Sequence, residues 1–215
     1  WLAIEFVRHD WSIKWLHRTI LNSETWQQTS RAEGVKSTND ASLLWHMPLL
    51  RMDAEVIRDS LLSVSGQLDV TPFGPPDPVE ARGDGLVTAT RTDKGWRRSI
   101  FIQQRRTRIP TLLENFDFPQ MGPNCVQRGE SVVAPQALHL LNNKMVHELA
   151  GHFAARVHAE AGEDSEVQLR HAWRLAVGRL PSAEEEAISQ ELLAEFREKW
   201  VADGKVQAEE ASQKA

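Results

Sequence analysis

Residues 97–143 read RRSIFIQQRRTRIPTLLENFDFPQMGPNCVQRGESVVAPQALHLLNN, and they hold the densest run of arginine, the single cysteine and the start of the longest helical pattern. Pro110, with its φ already near the helical value, introduces a short helix over 111–115. Two prolines and two glycines make 117–130 an irregular linker. A helix then begins near Val133, with Pro135 tolerated in its first turn. Leu138, Leu141, Met145, Leu149 and Phe153 recur at +3 or +4 and are expected to face a core. The pair Asn142-Asn143 is expected to split that pattern into two helices. At the other end of the stretch, 86–91 and 98–103 favour extended structure, and Asp93-Lys94-Gly95 supplies turn chemistry. They predict a small antiparallel hairpin inserted at about 86–103. Two strands alone are marginal in water, so the hairpin must pack on helices.

The flanking sequence is helical. Residues 1–9 read as the last turns of one helix. Ser12 suits the N-cap of a second running to about Gln28, with Ile13, Leu16 and Ile20 on one stripe. Residues 29–39 are a polar loop, and 41–47 a short helix broken at Pro48. An amphipathic helix is expected over 51–68, with Ile57, Leu61, Val64 and Leu68 inward and Gly66 as its stop. Its charges are read as a solvated face, with Glu55 and Arg58 three apart and able to pair. Residues 71–85, rich in Pro and Gly, are a loop. Downstream, Glu163-Asp164 open a helix that Gly178 ends, with Leu169, Trp173 and Ala176 on its apolar face. Ser182 and Glu185 have capping-box spacing for a last helix, along which Ile188, Leu192, Phe196 and Trp200 follow at +4. The expected architecture is mainly α, a single multi-helix domain over 1–201, with the hairpin inserted and a polar tail at 202–215.

The chain has 215 residues, 41% hydrophobic and 26% charged, with a net charge of −5. That balance suits a globular protein and argues against a dedicated nucleic-acid binder, which is normally basic. No apolar run approaches the roughly 20 residues of a membrane span. The first residue is Trp1, inside a helical pattern, so the chain reads as a piece of a longer protein. One cysteine excludes an internal disulfide, and the absence of CxxCH means that this piece attaches no c-type haem itself. The eight tryptophans are expected to fill core and interhelical gaps.

Chemistry-bearing motifs are sparse. His147 and His152 sit five apart, roughly 140° around a helix, so they miss the i, i+4 spacing of a zinc pair. Cys125 has flanks that give no sign of activation and reads as a buried thiol. The arginines offer the one sharper reading. Arg97, Arg98, Arg105, Arg106, Arg108 and Arg128 lie close in sequence, and a guanidinium fork matches carboxylate, sulfate or phosphate. One alternative is an anion site built from Arg98, Arg105, Arg106 and Arg128. The other is an internal polar network with Arg51, Asp53, Glu55, Arg58, Asp59 and Asp117, and this is favoured.

Four blocks resemble a known family. WLAIEFVRHDWSIKWLHRTILNSETWQQTS, RMDAEVIRDSLLSVSGQLD, RRSIFIQQRR leading to LLENFDFPQMGPNCVQR and PQALHLLNN, and HAWRLAVGRLPSAEEE are together similar to one C-terminal domain of unknown function. That domain belongs to planctomycete-type proteins that also carry cytochrome-c-like modules. Arg51, Asp53, Glu55, Arg58, Asp59, Arg98, Arg105, Arg106, Asp117, Cys125, Arg128 and Gln136 match its polar pattern. Gln120, Asn124, Val132 and Val133 depart from it. The resemblance implies an extracytoplasmic multidomain protein, with haem only in upstream domains and no catalytic residue to transfer. The functional expectation is therefore a non-catalytic scaffold or docking module whose partners are other domains of the same polypeptide. The alternative is the ligand-binding part of an enzyme acting on an anionic glycan or similar polyanion.

Overall fold

The computed structural model describes residues 1–30, 44–119, 125 and 128–202. The chain divides into two compact units, Trp1–Arg51 and Met52–Ala215.

In the first unit, α1 spans Leu2–Arg8 and α2 spans Ile13–Leu21. Ser12 caps α2 as expected, its hydroxyl accepting from Trp15 N at 3.3 Å. The helix stops about two turns before the expected end near Gln28. Ser23 takes over the local hydrogen bonding, donating to Ile20 O at 2.7 Å and accepting from Trp26 N at 3.2 Å. The short helix expected at 41–47 falls partly outside the described residues, and 44–47 are not helical.

The second unit is mainly α with a small antiparallel strand pair, as expected. It contains α3 (Ala54–Val64), α4 (Thr111–Asn115), α5 (Ala134–Asn142), α6 (Lys144–Ala161), α7 (Ser165–Val177) and α8 (Ala183–Ala202). Between α3 and α4 lie four short strands, β1 (Leu68–Asp69), β2 (Val79–Ala81), β3 (Val87–Ala89) and β4 (Trp96–Arg97), then a 3-10 turn at Ser99–Phe101. The antiparallel pair is β2–β3, joined by the Arg82–Gly85 turn, and not 86–91 against 98–103. The Gly83-Asp84-Gly85 run closes that turn, with Asp84 accepting from Leu86 N at 3.1 Å. The expected turn at 93–95 does form, from Thr92 to Gly95, but it delivers β4 to a parallel pairing with β1.

Gly95 explains that pairing. Its φ is +125°, and a Cβ there would lie 2.2 Å from Gln67 O. Only glycine lets the turn close while Trp96 N donates to Gln67 O at 2.9 Å.

The core has two parts. In one, Leu112 and Leu113 of α4 and Phe116 just past its end meet Ala54, Val79, Ala89 and Ile102. In the other, Leu62 of α3, Trp96 of β4 and Leu149 of α6 pack together. Three long-range hydrogen bonds align these layers. Thr111 Oγ1 accepts from Val87 N at 2.9 Å, and Arg156 of α6 donates to Ser63 O and Val64 O at 3.0 and 2.9 Å, capping the end of α3.

Helix ends follow local chemistry. Asn143 splits α5 from α6 as expected, and its Oδ1 caps α6 by accepting from Met145 N and Val146 N. Asp164 caps α7, Gly178 ends it with φ +75°, and Ser182 and Glu185 form their reciprocal box before α8. Helix faces follow it less well. Leu138 and Leu141 are exposed, and the buried side of α5 is Gln136 and His139, because the extended backbone at Asn143 resets the helical phase. Of the eight tryptophans only Trp96 is buried; Trp1, Trp11, Trp26 and Trp200 are exposed. Cys125 is exposed, not buried. The polar tail, from 203 on, lies outside the described residues.

Two glycines give opposite expectations. Gly95→Ala forces a Cβ into Gln67 O and should cost at least ~2 kcal/mol in urea unfolding. Gly151→Ala, inside α6 with open space around the new methyl, should gain ~0.5–1 kcal/mol.

Candidate functional site

The second unit gathers its charge around α3. Ala54, Arg58 and Leu62 lie on one buried line of that helix, so a cation occupies the middle of an apolar ladder. Arg58 is 4% exposed, and the solvated-face reading of this residue is corrected. Its Nη1 donates to Arg97 O at 3.0 Å and to Ser99 Oγ at 3.2 Å, and lies 3.5 Å from Asp59 Oδ1. Burial pulls its pKa down to about 10, partly offset by Asp59 and Asp77, so it stays charged at neutral pH. Asp59 completes the loop of bonds, its Oδ1 accepting from Ser99 N and Ser99 Oγ at 2.8 and 2.7 Å.

Arg97 is the second buried cation. Nε donates to both Asp77 oxygens at 2.9 and 3.1 Å, and Nη2 to Asp77 Oδ1 at 2.7 Å. Nη1 reaches Phe73 O at 2.7 Å, Nη2 also reaches Pro75 O at 2.5 Å, and the guanidinium lies over the Phe101 ring at 4.7 Å. The Asp77 hydrogen bonds raise its pKa further. Asp77 was missed in the sequence because it sits in a Pro- and Gly-rich stretch that reads as plain loop. A faint signal existed, since a single acid between prolines, Pro76-Asp77-Pro78, is conformationally restrained.

The four arginines considered for an anion site are used differently. Arg128 is committed to a fork-to-fork pair with Glu55 at 2.7 and 2.9 Å, with Asp53 at 3.6 Å. That hydrogen bond lowers the Glu55 pKa and raises that of Arg128. Arg98 is mostly exposed and lies 3.5 Å from Asp59 Oδ2. Arg105 and Arg106 are exposed on the turn that Arg108 closes, its N donating to Arg105 O at 3.1 Å. Among the described residues no carboxylate is within ion-pair distance of any of these three. Of the rest of the expected network, Asp117 binds Ser131 N and Oγ at 2.7–2.9 Å, and Ser131 in turn accepts from Gln136 Nε2 at 3.2 Å, tying α4 to α5. Arg51 is half-buried in the other unit. Glu55 and Arg58 do not pair; each turns to a distant partner.

One open groove of about 610 Å³ runs beside this charge. Glu55, Val56, Asp59, Ser60 and Ser63 of α3 form one wall; Leu68, Arg98, Ser99, Ile100, Gln104 and Phe118 contribute the rest. A smaller hollow of about 290 Å³ lies at Trp96, ringed by Glu80, Arg82, Arg91, Lys144 and Glu148. Arg91 stands over Trp96 at 4.9 Å there and pairs with Glu148 at 3.6 Å. Among the described residues no group of three or more His, Cys, Asp or Glu side chains is arranged to hold a metal ion. Among the described residues no helix is long and apolar enough to cross a membrane.

His139 links three elements. Asn115 Nδ2 lies 3.0 Å from its Nδ1, and Asn143 Nδ2 lies 3.0 Å from its Nε2. Asn143 Oδ1 is taken by the α6 cap, so its amide donates and Nε2 must accept. Burial lowers the His139 pKa from its ordinary 6.5.

The model of the PSD1 family, described as protein of unknown function (DUF1553), matches residues 1–193. No curated protein and no solved structure matches the chain.

Two expectations follow from the charges. Arg58→Ala should cost about 3 kcal/mol in chemical unfolding, because it strips donors from buried acceptors. Arg105→Ala should stay within about 0.5 kcal/mol of the parent. Because His139 titrates lower when folded, the unfolded chain binds more protons below pH 6.5. Its contribution is therefore whole above 6.5 and falls as pH drops below it. Thermal unfolding followed from pH 7.5 to 5.5 should show that decline, and His139→Gln should flatten it.

Proposed function

The chain belongs to the PSD1 (DUF1553) family, and on that premise we propose that it is a non-catalytic scaffold or docking module of a larger protein. The planctomycete-type, cytochrome-associated and extracytoplasmic setting is part of the same proposal and rests on the sequence resemblance alone. One observation carries the reading. The ionisable groups with the best geometry for chemistry are locked onto one another: Arg97 on Asp77, Arg128 on Glu55, Asp59 and Arg58 on Ser99. A catalytic acid, base or anion clamp must present unsatisfied capacity to a substrate. These groups spend most of their capacity on each other and join helices to strands, Arg58 Nη2 being buried without a hydrogen-bond partner.

The reading of an enzyme acting on an anionic glycan has its own support in Arg105, Arg106 and Arg108, which carry exposed charge with no carboxylate opposite among the described residues. Such a site would need the flanking arginines to converge, whereas Arg128 is already held by Glu55 and Asp53.

A thermal-shift series with sulfated and uronic-acid oligosaccharides separates the two. The docking reading expects no stabilisation beyond that of sodium chloride at matched ionic strength. A salt-sensitive rise in Tm that disappears in Arg105→Ala would overturn it.

A further inference from the structure

We propose that the groove beside α3 is a docking site for an extended acidic peptide segment with apolar anchors. The inference rests on the docking reading above and deepens it by naming the surface and the chemistry of the partner.

Three features of the groove converge on that occupant. The first is apolar surface held open. Val56 on one wall and Ile100 on the other are 47% and 78% exposed, and Phe118 and Leu68 line the space between the same elements. Alternating side chains of an extended chain fill a trough of this kind, since every second residue points to one face. The second is an unmet acceptor. Gln104 lines the groove, and its buried Oε1 has no hydrogen-bond partner. A peptide brings backbone N–H donors at regular spacing, and a buried amide oxygen left without one is costly. The third is charge. The acids of the groove are already matched, Asp59 by Ser99 and Arg98, and Glu55 by Arg128. The unmatched charge begins next to Gln104, at Arg105, Arg106 and Arg108. It is positive, within a chain whose net charge is −5. Carboxylates on the incoming segment complement that turn.

A polyanionic glycan meets the charge and can offer a hydroxyl to Gln104 Oε1, but it leaves the apolar strip unmet. It places no apolar group against Val56 and Ile100.

Fluorescence polarisation on the full 215-residue chain tests the proposal. The probe is a labelled ten-residue peptide of alternating glutamate and leucine, compared with glutamate–serine and lysine–leucine peptides of equal length. The glutamate–leucine peptide should bind saturably, about tenfold tighter than either comparison peptide. Ile100→Glu and the double variant Arg105→Glu/Arg106→Glu should each weaken it about tenfold. Gln104→Leu should weaken it about threefold, whereas Ile188→Glu on α8 should leave it unchanged. Circular dichroism keeps the exposed-site variants interpretable. Equal binding of the glutamate–serine peptide, or full binding by Ile100→Glu, overturns the groove. If Ile188→Glu abolishes binding while Ile100→Glu does not, the docking reading stands on a different surface and the groove falls alone. If no peptide binds while a sulfated oligosaccharide binds through Arg105 and Arg106, both fall together.

Discussion

Arg58 and Arg97 hold α3 to the segment that follows it, and most of the second unit depends on that join. A small helical domain usually makes such a join with leucine and phenylalanine. Here the apolar residues are divided between two separate clusters, around Leu113 and around Leu62. The carbonyls of Phe73, Pro75 and Arg97 take their hydrogen bonds from guanidinium groups instead. Guanidinium is well suited to that task because its donors fan out in one plane and reach several acceptors at once. Arg97 therefore binds a carboxylate and two loop carbonyls together, while Arg58 reaches a strand carbonyl and a hydroxyl. Burying these charges carries a desolvation penalty that the short, multiple hydrogen bonds must offset. What the arrangement gives in return is direction. Leucines tolerate sliding, whereas a fork bonded to Asp77 fixes the register of the loop against β4.

The remaining arginines show the same group used without that constraint. Arg128 pairs with Glu55 near the surface, where the solvent screens the interaction and little stability is at stake. Arg105, Arg106 and Arg108 lie between Ile102 and Pro110, both buried, so the turn that carries them is anchored at each end while its charges face outward. A rigid turn with exposed cations is a different object from a flexible basic tail. Its charges keep fixed positions relative to the neighbouring groove, which lowers the ordering cost of engaging a partner.

Local chemistry made part of this fold readable in the sequence. Ser12, Asn143, Asp164 and the Ser182–Glu185 pair each act within three residues of themselves, and Pro110 and Gly178 act through their own backbone angles, so no distant knowledge is needed. The faces were harder. Arg58 lies at +4 from Ala54 and −4 from Leu62, a buried line, but its charge argued for solvent and the Ile57–Leu61 line beside it looked sufficient. Its acceptors, Arg97 O and Ser99, are about forty positions away, and nothing at Arg58 points to them. The placement of the hairpin was missed for a related reason. The turn at 93–95 is real, yet Gly95 serves a close approach to Gln67 that only the parallel β1–β4 pairing reveals. At the site, the sequence found the basic run but could not divide it into arginines facing inward and outward, because the carboxylates that decide the matter come from α3 and from the 71–85 stretch.

That division also bears on what the surface can do. A helix is a good wall for a binding groove when its own position is fixed by bonds made elsewhere. The buried side of α3 is pinned through Arg58, its C-terminal carbonyls are capped by Arg156, and its first turn is tied through Glu55 to Arg128. The side formed by Val56, Ser60 and Ser63 is then held open without having to pack on anything. The opposite wall is equally constrained, since Ser99 is bonded to Asp59 and the backbone of Asp77 and Gln103 brackets the 3-10 turn. An apolar residue such as Ile100, displayed on a turn fixed from below, has no slack with which to fold back and cover itself. Its exposure follows from the same buried charges that hold the unit together.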